Sequence, residues 1–282
     1  MLVDLVRVTT PDGCLLDGAL QRPENDVVRA VELDGVCLIH GTGSNFYQST
    51  LMEFFAENLL AQGVAVLRAN TRGHDGVSTL VTAKGGTRLG AAYERVDDCR
   101  HDLRGWVDFM RAKVGPTIGL LGHSLGAVKC LYAAAHDPDL APAAVIAVSP
   151  PRLSFAAFAE SERGPEFLEA ISAAQTLAEQ GRGEVLMEAT IPLPMLIAAG
   201  GYLEKYGPDE RYQIVPLVKR LETPTLFLFG EKEVRDNVAF QRLPEELGEL
   251  GREVVVIEGG DHFYTGVRGP AWNAIHRWLR RG

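Results

Sequence analysis

The 282-residue sequence lacks an excess of positive charge. It contains 28 Lys and Arg residues against 37 Asp and Glu residues, which gives a formal net charge of −9 at pH 7. Proteins that bind a nucleic-acid backbone or an anionic membrane surface through charge carry the opposite excess. We therefore expect neither of these to be a partner, and the acidic balance mainly favours solubility.

Long hydrophobic runs and paired cysteine motifs are also missing. No apolar run approaches the roughly 18 residues of a transmembrane helix. Residues 1–7 lack the basic region followed by an apolar stretch that is typical of a signal peptide. The four cysteines have no Cys-x-x-Cys spacing, and Cys37 and Cys130 lie in apolar segments, as reduced, buried thiols commonly do. The sequence thus predicts a cytoplasmic protein with no membrane span.

Apolar patterning predicts an α/β fold. Two alternating segments, residues 2–9 and 14–21, flank the turn residues Pro11-Asp12-Gly13 and indicate an antiparallel hairpin. Short continuous apolar runs follow, typical of strands buried on both faces, and helical periodicity separates most of them. This alternation predicts a mostly parallel central sheet with helices on both faces. The runs are residues 36–39, 64–67, 118–121, 144–148, 225–229 and 254–257.

One long segment interrupts the alternation. Roughly seventy residues without a strand signal separate the runs 144–148 and 225–229, whereas ordinary connections have a median of about 4–6 residues. We interpret residues 151–221 as a helical cap inserted into a core formed by residues 1–150 and 222–282. Apolar cap residues should line a pocket for a small apolar acyl or aromatic group, and the candidates are Phe155, Phe158, Met187, Met195 and Leu196.

The most informative motif is Gly122-His123-Ser124-Leu125-Gly126, which follows an apolar run and precedes a helical pattern. A serine on such a strand-to-helix turn is exposed above the sheet, and the glycines allow neighbouring backbone to come close. The amides at the start of the next helix face an oxyanion that forms on the attacked carbonyl. We therefore interpret Ser124 as a nucleophile.

A nucleophilic serine needs a base, and the base needs an orienting carboxylate. His262 lies in Gly259-Gly260-Asp261-His262-Phe263, directly after the last apolar run, and the acidic segment 230–236 follows the preceding run in the same way. The order serine, acid, histidine is that of the α/β-hydrolase triad.

With these motifs, the chain resembles the α/β-hydrolase superfamily, in its serine-hydrolase (esterase-like) type, over nearly its whole length. The resemblance implies an α/β-hydrolase fold that requires no cofactor. The family usually places Asp three residues after the strand-terminal glycine; that position is Glu233 here, and Asp236 is the alternative acid. The loop His40-Gly41-Thr42-Gly43 also matches the family, which implies that the backbone amides of Thr42 and Leu125 form the oxyanion hole.

The expected activity is hydrolysis of an ester or related acyl substrate through an acyl-enzyme intermediate, as in a carboxylic-ester hydrolase. The same triad serves thioesters and carbon-carbon bonds beside a ketone, so these remain open. A catalytically silent hydrolase-fold protein that binds a small ligand is the alternative from another class. The sequence leaves open whether the chain forms a homo-oligomer.

Other polar residues near these motifs are expected to be structural. His40 and His123 should pack or hydrogen-bond locally, Arg72 should brace its loop, and the charged residues from Glu94 to Arg104 should form a solvated helix face. Four further residues have no spacing typical of a zinc site and are expected to be solvated or to cap helices: His74, Asp75, His101 and Asp102.

Overall fold

The chain folds around a central sheet of eight strands, in the residues that a computed structural model describes, 3–24 and 26–281. Two smaller sheets, β5 with β6 and β9 with β10, have two strands each. The strands are β1 (Asp4–Thr9), β2 (Leu15–Gln21), β3 (Gly35–Ile39), β4 (Ala65–Ala69), β5 (Ser78–Thr82), β6 (Gly85–Leu89), β7 (Ile118–His123), β8 (Ala144–Val148), β9 (Leu186–Ala189), β10 (Met195–Ala198), β11 (Thr225–Gly230) and β12 (Glu253–Ile257).

The central sheet has the order β1-β2-β4-β3-β7-β8-β11-β12. The pairs β1/β2 and β2/β4 are antiparallel. The other six strands of this sheet run parallel to one another, and they are β4, β3, β7, β8, β11 and β12. Every residue of β3, β7 and β8 is buried, as expected for strands covered on both faces. The predicted hairpin and mostly parallel sheet are confirmed, although Leu2, at the start of the predicted hairpin, lies outside the described residues.

Helices cover both faces of the sheet and bury two apolar cores. Helices α1 and α10 pack on one face, and α2 and α3 pack on the other. None of the described helices has the length and apolar character to cross a membrane. The helices are α1 (Thr50–Leu60), α2 (Cys99–Lys113), α3 (Leu125–His136), α4 (Phe155–Ala159), α5 (Gly164–Glu179), α6 (Ala199–Tyr206), α7 (Ile214–Val218), α8 (Glu231–Asp236), α9 (Leu243–Glu249) and α10 (Arg268–Leu279).

Residues 151–221, which we call the insertion, connect β8 to β11 and contain α4 to α7. They are not wholly helical, because β9 and β10 form an antiparallel hairpin that the sequence analysis missed. The prolines Pro192 and Pro194, which cannot donate a backbone hydrogen bond, lie in the turn between these strands. Apolar residues around the prolines concealed the hairpin, since they carry no clear alternation.

A buried ion cluster joins the insertion to the core. The carboxylate of Glu94 accepts from Nζ of Lys129 on α3 (2.6 Å) and from Nζ of Lys205 on α6 (3.3 Å). All three side chains are at most 1% exposed. A Cβ on Gly73 would lie 1.8 Å from Oε2 of Glu94, so only glycine leaves room for this carboxylate. Burial alone would raise the pKa of Glu94, but the charges of Lys129 and Lys205 outweigh it and lower the pKa to about 2.

The expectation of a solvated face from Glu94 to Arg104 was therefore wrong at two positions. Glu94 lies in the ion cluster, and Asp102 is fully buried beneath Arg72, whose Nε and Nη2 donate to Oδ1 of Asp102 (2.9 and 2.8 Å). Asp102 also accepts from the backbone amide of Arg72 (2.9 Å). Arg72 thus braces its loop as predicted, whereas Asp102 is neither solvated nor a helix cap.

Replacing Glu94 with glutamine should destabilise the fold strongly. The change leaves two buried ammonium groups without their counter-charge, and breaking a buried ion pair in this way costs about 3–5 kcal/mol of unfolding free energy. Urea denaturation would measure this loss. The matched control is Glu166→Gln, which makes the same chemical change in an exposed pair with Arg163 and should have little effect; equal losses in the two variants would contradict this account.

The advantage of the wild type over Glu94→Gln should also depend on pH. Because the pKa of Glu94 is lowered to about 2 in the folded state from about 4.3 in an unfolded chain, its contribution is present above pH 4.3 and is lost as the pH falls toward 2. Unfolding free energies measured between pH 7 and pH 2.5 should converge for the two proteins. A constant difference over this range would show that the charge of Glu94 is not responsible.

Candidate active site

Ser124 occupies a strained turn between β7 and α3. Its φ of 56° and ψ of −127° are rare for a residue with a side chain. A Cβ on Gly122 would lie 2.3 Å from the carbonyl oxygen of Gly126, and a Cβ on Gly126 would lie 2.3 Å from that of Ile39. Both glycines are therefore required by backbone contact, and the turn holds the serine at the end of the buried strand.

Ser124 and His262 line one cavity of about 580 Å³ at the carboxyl edge of the parallel strands. In the described part of the chain, the side chains of Ser124 and His262 are not hydrogen-bonded to each other. The lining contains no Asp, Glu, Lys or Arg side chain in the described parts of the chain, and most of its larger side chains are apolar. The apolar lining residues are Leu51, Met52, Leu125, Pro151, Leu153, Pro192, Leu193, Ala239, Phe240 and Phe263.

The insertion contributes to this cavity through different residues from those expected. None of the five apolar candidates from the sequence lines it; Pro151, Leu153, Pro192, Leu193 and Tyr206 do. The expected aromatic residues instead pack inside the insertion, where the rings of Phe155 and Phe158 lie 5.6 and 5.5 Å from that of Phe167. Leu196 is half exposed on the hairpin. Sequence periodicity identified apolar residues here but not the direction in which they point.

Of the two candidate acids, Glu233 lies against His262. Nδ1 of His262 donates to Oε2 of Glu233 (2.7 Å), and the other carboxylate oxygen accepts from the backbone amide of Gly230 (2.8 Å). The Glu233 side chain is 3% exposed. Asp236 lies at the end of α8, is exposed, and pairs with Arg235 (2.7 Å). The structure therefore brings Glu233 and His262 together and leaves Asp236 outside the cavity.

The buried hydroxyl of Ser149 bonds to Glu233, and the buried hydroxyl of Tyr264 contacts that of Ser149; the sequence analysis missed both residues. Oγ of Ser149 donates to Oε1 of Glu233 (2.6 Å) and lies 2.9 Å from the hydroxyl of Tyr264. Ser149 follows β8 directly and has a φ of 49°, which turns its side chain toward the neighbouring strand β11. The signal that could have identified Ser149 was its position directly after β8, the strand that lies beside the acid-bearing strand β11.

The histidines next to the motifs, His40 and His123, are buried and neutral. Burial lowers the pKa of His123 to about 3 and that of His40 to about 4. Nε2 of His123 donates to the backbone carbonyl of His262 (2.8 Å). Nδ1 of His40 donates to the carbonyl of Gly41 (2.8 Å), while Nε2 accepts from the amide of Thr71 (3.1 Å). Both rings thus bond locally and hold the two loops that border the cavity.

The loop of residues 40–43 packs directly against the serine. A Cβ on Gly41 would lie 3.0 Å from Cβ of Ser124. Thr42 and Leu125 both line the cavity, and their backbone amides donate to no acceptor within residues 3–24 and 26–281. An anionic oxygen bound beside Ser124 could therefore accept from these two amides.

Of the four residues expected from the sequence to be solvated or to cap helices, His74, Asp75 and Asp102 have side-chain partners in the structure. Asp102 is committed to Arg72, and His74 pairs with its neighbour Asp75 (2.8 Å). In the described residues no group of three or more His, Cys, Asp and Glu side chains is arranged to hold a metal ion. The four cysteines are buried and free.

Solved structures share this fold at low sequence identity. The Pyrococcus furiosus esterase Pf2001 is 18% identical with a TM-score of 0.65, covering 99% of this chain and 91% of that chain. Est1E from Butyrivibrio proteoclasticus is 18% identical with a TM-score of 0.63, covering 98% and 97%. The alpha/beta hydrolase GrgF from Penicillium sp. sh18 is 18% identical with a TM-score of 0.70, covering 100% and 99%. No curated protein matches the sequence significantly.

The family assignment rests on the sequence model of the alpha/beta hydrolase family, which matches residues 38–268. This range extends from β3 to the start of α10 and includes the turn at Ser124, the acid segment and His262. The match spans most of the chain, and the central sheet and its helices agree with it. The chain therefore belongs to the alpha/beta hydrolase family.

Proposed function

We propose that the chain is a serine hydrolase that cleaves a carboxylic ester or related acyl substrate, with Ser124 as nucleophile, His262 as base and Glu233 as acid. The observation that carries this proposal is the 2.7 Å hydrogen bond from Nδ1 of His262 to Glu233. It leaves Nε2 as the proton acceptor of a ring that faces the same cavity as the strained serine. The esterases among the structural neighbours support the choice of an ester.

The proposed reaction has two halves. Oγ of Ser124 attacks the substrate carbonyl while Nε2 of His262 takes the hydroxyl proton, and the amides of Thr42 and Leu125 bind the oxyanion. The tetrahedral intermediate expels the alcohol, which receives that proton. Water then attacks the acyl-enzyme with His262 again as base, and collapse of the second intermediate releases the acid and restores Ser124.

We also propose that the insertion, residues 151–221, acts as a cap on a core of residues 1–150 and 222–282. Its residues Leu153, Leu193 and Tyr206 form part of the wall of the cavity that Ser124 and His262 also line. Because the described lining contains no Asp, Glu, Lys or Arg side chain and is mostly apolar, the substrate we propose is small and neutral, with an apolar acyl or aromatic group.

Hydrolysis of p-nitrophenyl esters from acetate to long chains tests the triad. Ser124→Ala should lose on the order of 10⁶-fold in kcat, because the nucleophile is absent. Glu233→Gln should lose roughly 10⁴-fold in kcat, because the neutral amide neither holds the imidazole in the required tautomer nor stabilises the positive charge that forms on it. The matched control Asp236→Asn should stay close to the wild type, and a strong loss in this variant would move the acid to Asp236.

Labelling with a fluorophosphonate separates an enzyme from a silent ligand-binding protein. The wild type should become labelled and Ser124→Ala should not, since only an activated serine reacts with the probe. A folded wild-type protein that remains unlabelled and hydrolyses no ester would contradict the proposed function. Labelling without ester turnover would support Ser124 as the nucleophile but would exclude the tested esters as substrates. The bond cleaved would then be a thioester or a carbon-carbon bond.

Ser149 should affect turnover through its hydrogen bond to Glu233. We expect Ser149→Ala to lower kcat by about 10-fold with KM unchanged, because a hydrogen bond to a charged group contributes about 1.5–3 kcal/mol. The matched control is Ser154→Ala, since Ser154 donates to Glu210 over the same 2.6 Å but away from His262. Equal kcat values in the two variants would show that Ser149 only supports the fold.

A further inference from the structure

Tyr206 is a buried residue that lines the cavity, and its hydroxyl has no hydrogen-bond partner among the described residues. Tyr206 is the last residue of α6, is 2% exposed and lines the cavity that contains Ser124. Its hydroxyl bonds to no atom of the residues that the structure describes. A ligand that covers this hydroxyl without accepting a hydrogen bond from it would lose about 1–3 kcal/mol, so a ligand with a matching acceptor is favoured.

The hydroxyls of the other buried tyrosines all have hydrogen-bond partners in the described residues. The hydroxyl of Tyr132 bonds to Asp97 (2.6 Å), and that of Tyr202 bonds to the carbonyl of Ile191 (2.7 Å). The hydroxyl of Tyr264 bonds to Ser149 (2.9 Å), and that of Tyr212 bonds to Glu204. Within the described residues, Tyr206 is the exception among the buried tyrosines, and it is also the one that lines the cavity. The unpaired hydroxyl is thus a feature of the binding site.

The phenol is held in place by its surroundings. Its ring lies 5.2 Å from that of Tyr202 and 6.2 Å from that of Phe158. The preceding residue, Lys205, is anchored to Glu94 in the core. Because packing and the ion cluster fix α6 at this point, the hydroxyl does not have to be ordered when it binds a ligand, which favours selectivity.

The charge of the site defines the group that Tyr206 can bind. Burial, with smaller contributions from Tyr202 and Glu94, raises the pKa of Tyr206 far above its usual value, so the phenol remains a neutral donor. No Lys or Arg side chain of the described residues lines the cavity. A ligand carboxylate would therefore be buried without a counter-charge, which is costly, whereas a hydroxyl, ether or ketone oxygen would satisfy the phenol.

We propose that Tyr206 is a specificity-determining residue whose Oη donates a hydrogen bond to a neutral oxygen on the substrate, outside the ester group that is cleaved. The preferred substrates are then neutral esters that carry a hydroxyl, ether or ketone oxygen on an otherwise apolar chain. This inference rests on the proposed function, because it assigns the substrate class of the same cavity.

The test compares kcat/KM of the wild type and Tyr206→Phe on p-nitrophenyl hexanoate and on its analogues with one hydroxyl or ketone at successive chain positions. At one position the wild type should prefer the oxygenated ester by about 10-fold, as expected for one neutral hydrogen bond. Tyr206→Phe should lose this preference, so that its ratio of kcat/KM for the oxygenated ester to kcat/KM for the plain ester falls by about 10-fold relative to the wild type. The mono-p-nitrophenyl ester of adipic acid, which bears a carboxylate, should be a poor substrate for both.

The matched control is Tyr202→Phe on the same helix, whose hydroxyl bonds to the carbonyl of Ile191 and not to a ligand. It should lower stability without changing the preference between plain and oxygenated esters. A wild type that hydrolyses esters but prefers no oxygenated analogue, or a preference that survives in Tyr206→Phe, would overturn the proposal for Tyr206 and leave the proposed function intact.

Failure of the proposed function would have a different signature. The wild type would then hydrolyse none of these esters and resist the fluorophosphonate. In that case calorimetric titration of the wild type and of Tyr206→Phe with 2-hexanone decides the role of Tyr206. Tighter binding of 2-hexanone by the wild type than by Tyr206→Phe supports a hydrogen bond from the phenol, and equal affinities in the two proteins contradict it.

Discussion

The rest of the site depends on the buried ion pairs that the carboxylate of Glu94 forms with two lysines. Lys205 binds it from the insertion, and Lys129 binds it from α3, the helix that follows the strained serine. Lys129 also donates to the hydroxyl of Thr71 (2.9 Å), and the amide of Thr71 donates to His40 at the start of the loop 40–43. A continuous set of polar contacts thus connects the insertion, α3 and the loop beside Ser124.

The electrostatics of this cluster are consistent with a positioning role. Removing charges from water costs several kcal/mol for each ion, so a buried ion pair adds little stability compared with an apolar replacement, but losing one partner is severe. The charge of Lys129 adds to burial in lowering the pKa of His40. A neutral His40 can accept from Thr71 through one ring nitrogen and donate to Gly41 through the other. The cluster therefore fixes the loop in one arrangement.

The sequence was sufficient for features that depend on neighbouring residues. Continuous apolar runs identified the buried strands, and the glycines around Ser124 identified the turn, because both signals are local. The burial of Glu94 could not be predicted, since it depends on Lys205, which lies 111 residues away in the chain. The roles of Ser149 and Tyr206 are equally non-local, because each depends on which strand or helix the fold places opposite it.

The glutamate at the position of the proposed acid follows from the way α8 begins. Glu233 is the third residue of α8, and Gly230 caps the helix; a side chain at this position needs the reach of Glu or Gln to return to the capping amide. One oxygen of Glu233 accepts from that amide and from Ser149, while the other accepts from His262.

The spacing between acid and base is set by backbone contact. A Cβ on Gly230 would lie 2.6 Å from the carbonyl oxygen of Gly260, so the end of β11 touches the loop that carries His262. The amide of Lys232 donates to the same carbonyl (2.8 Å). Because one carboxylate both caps α8 and bonds the imidazole, Glu233 cannot rotate away from His262 without also uncapping the helix. The orientation of the ring is thereby tied to the stability of α8.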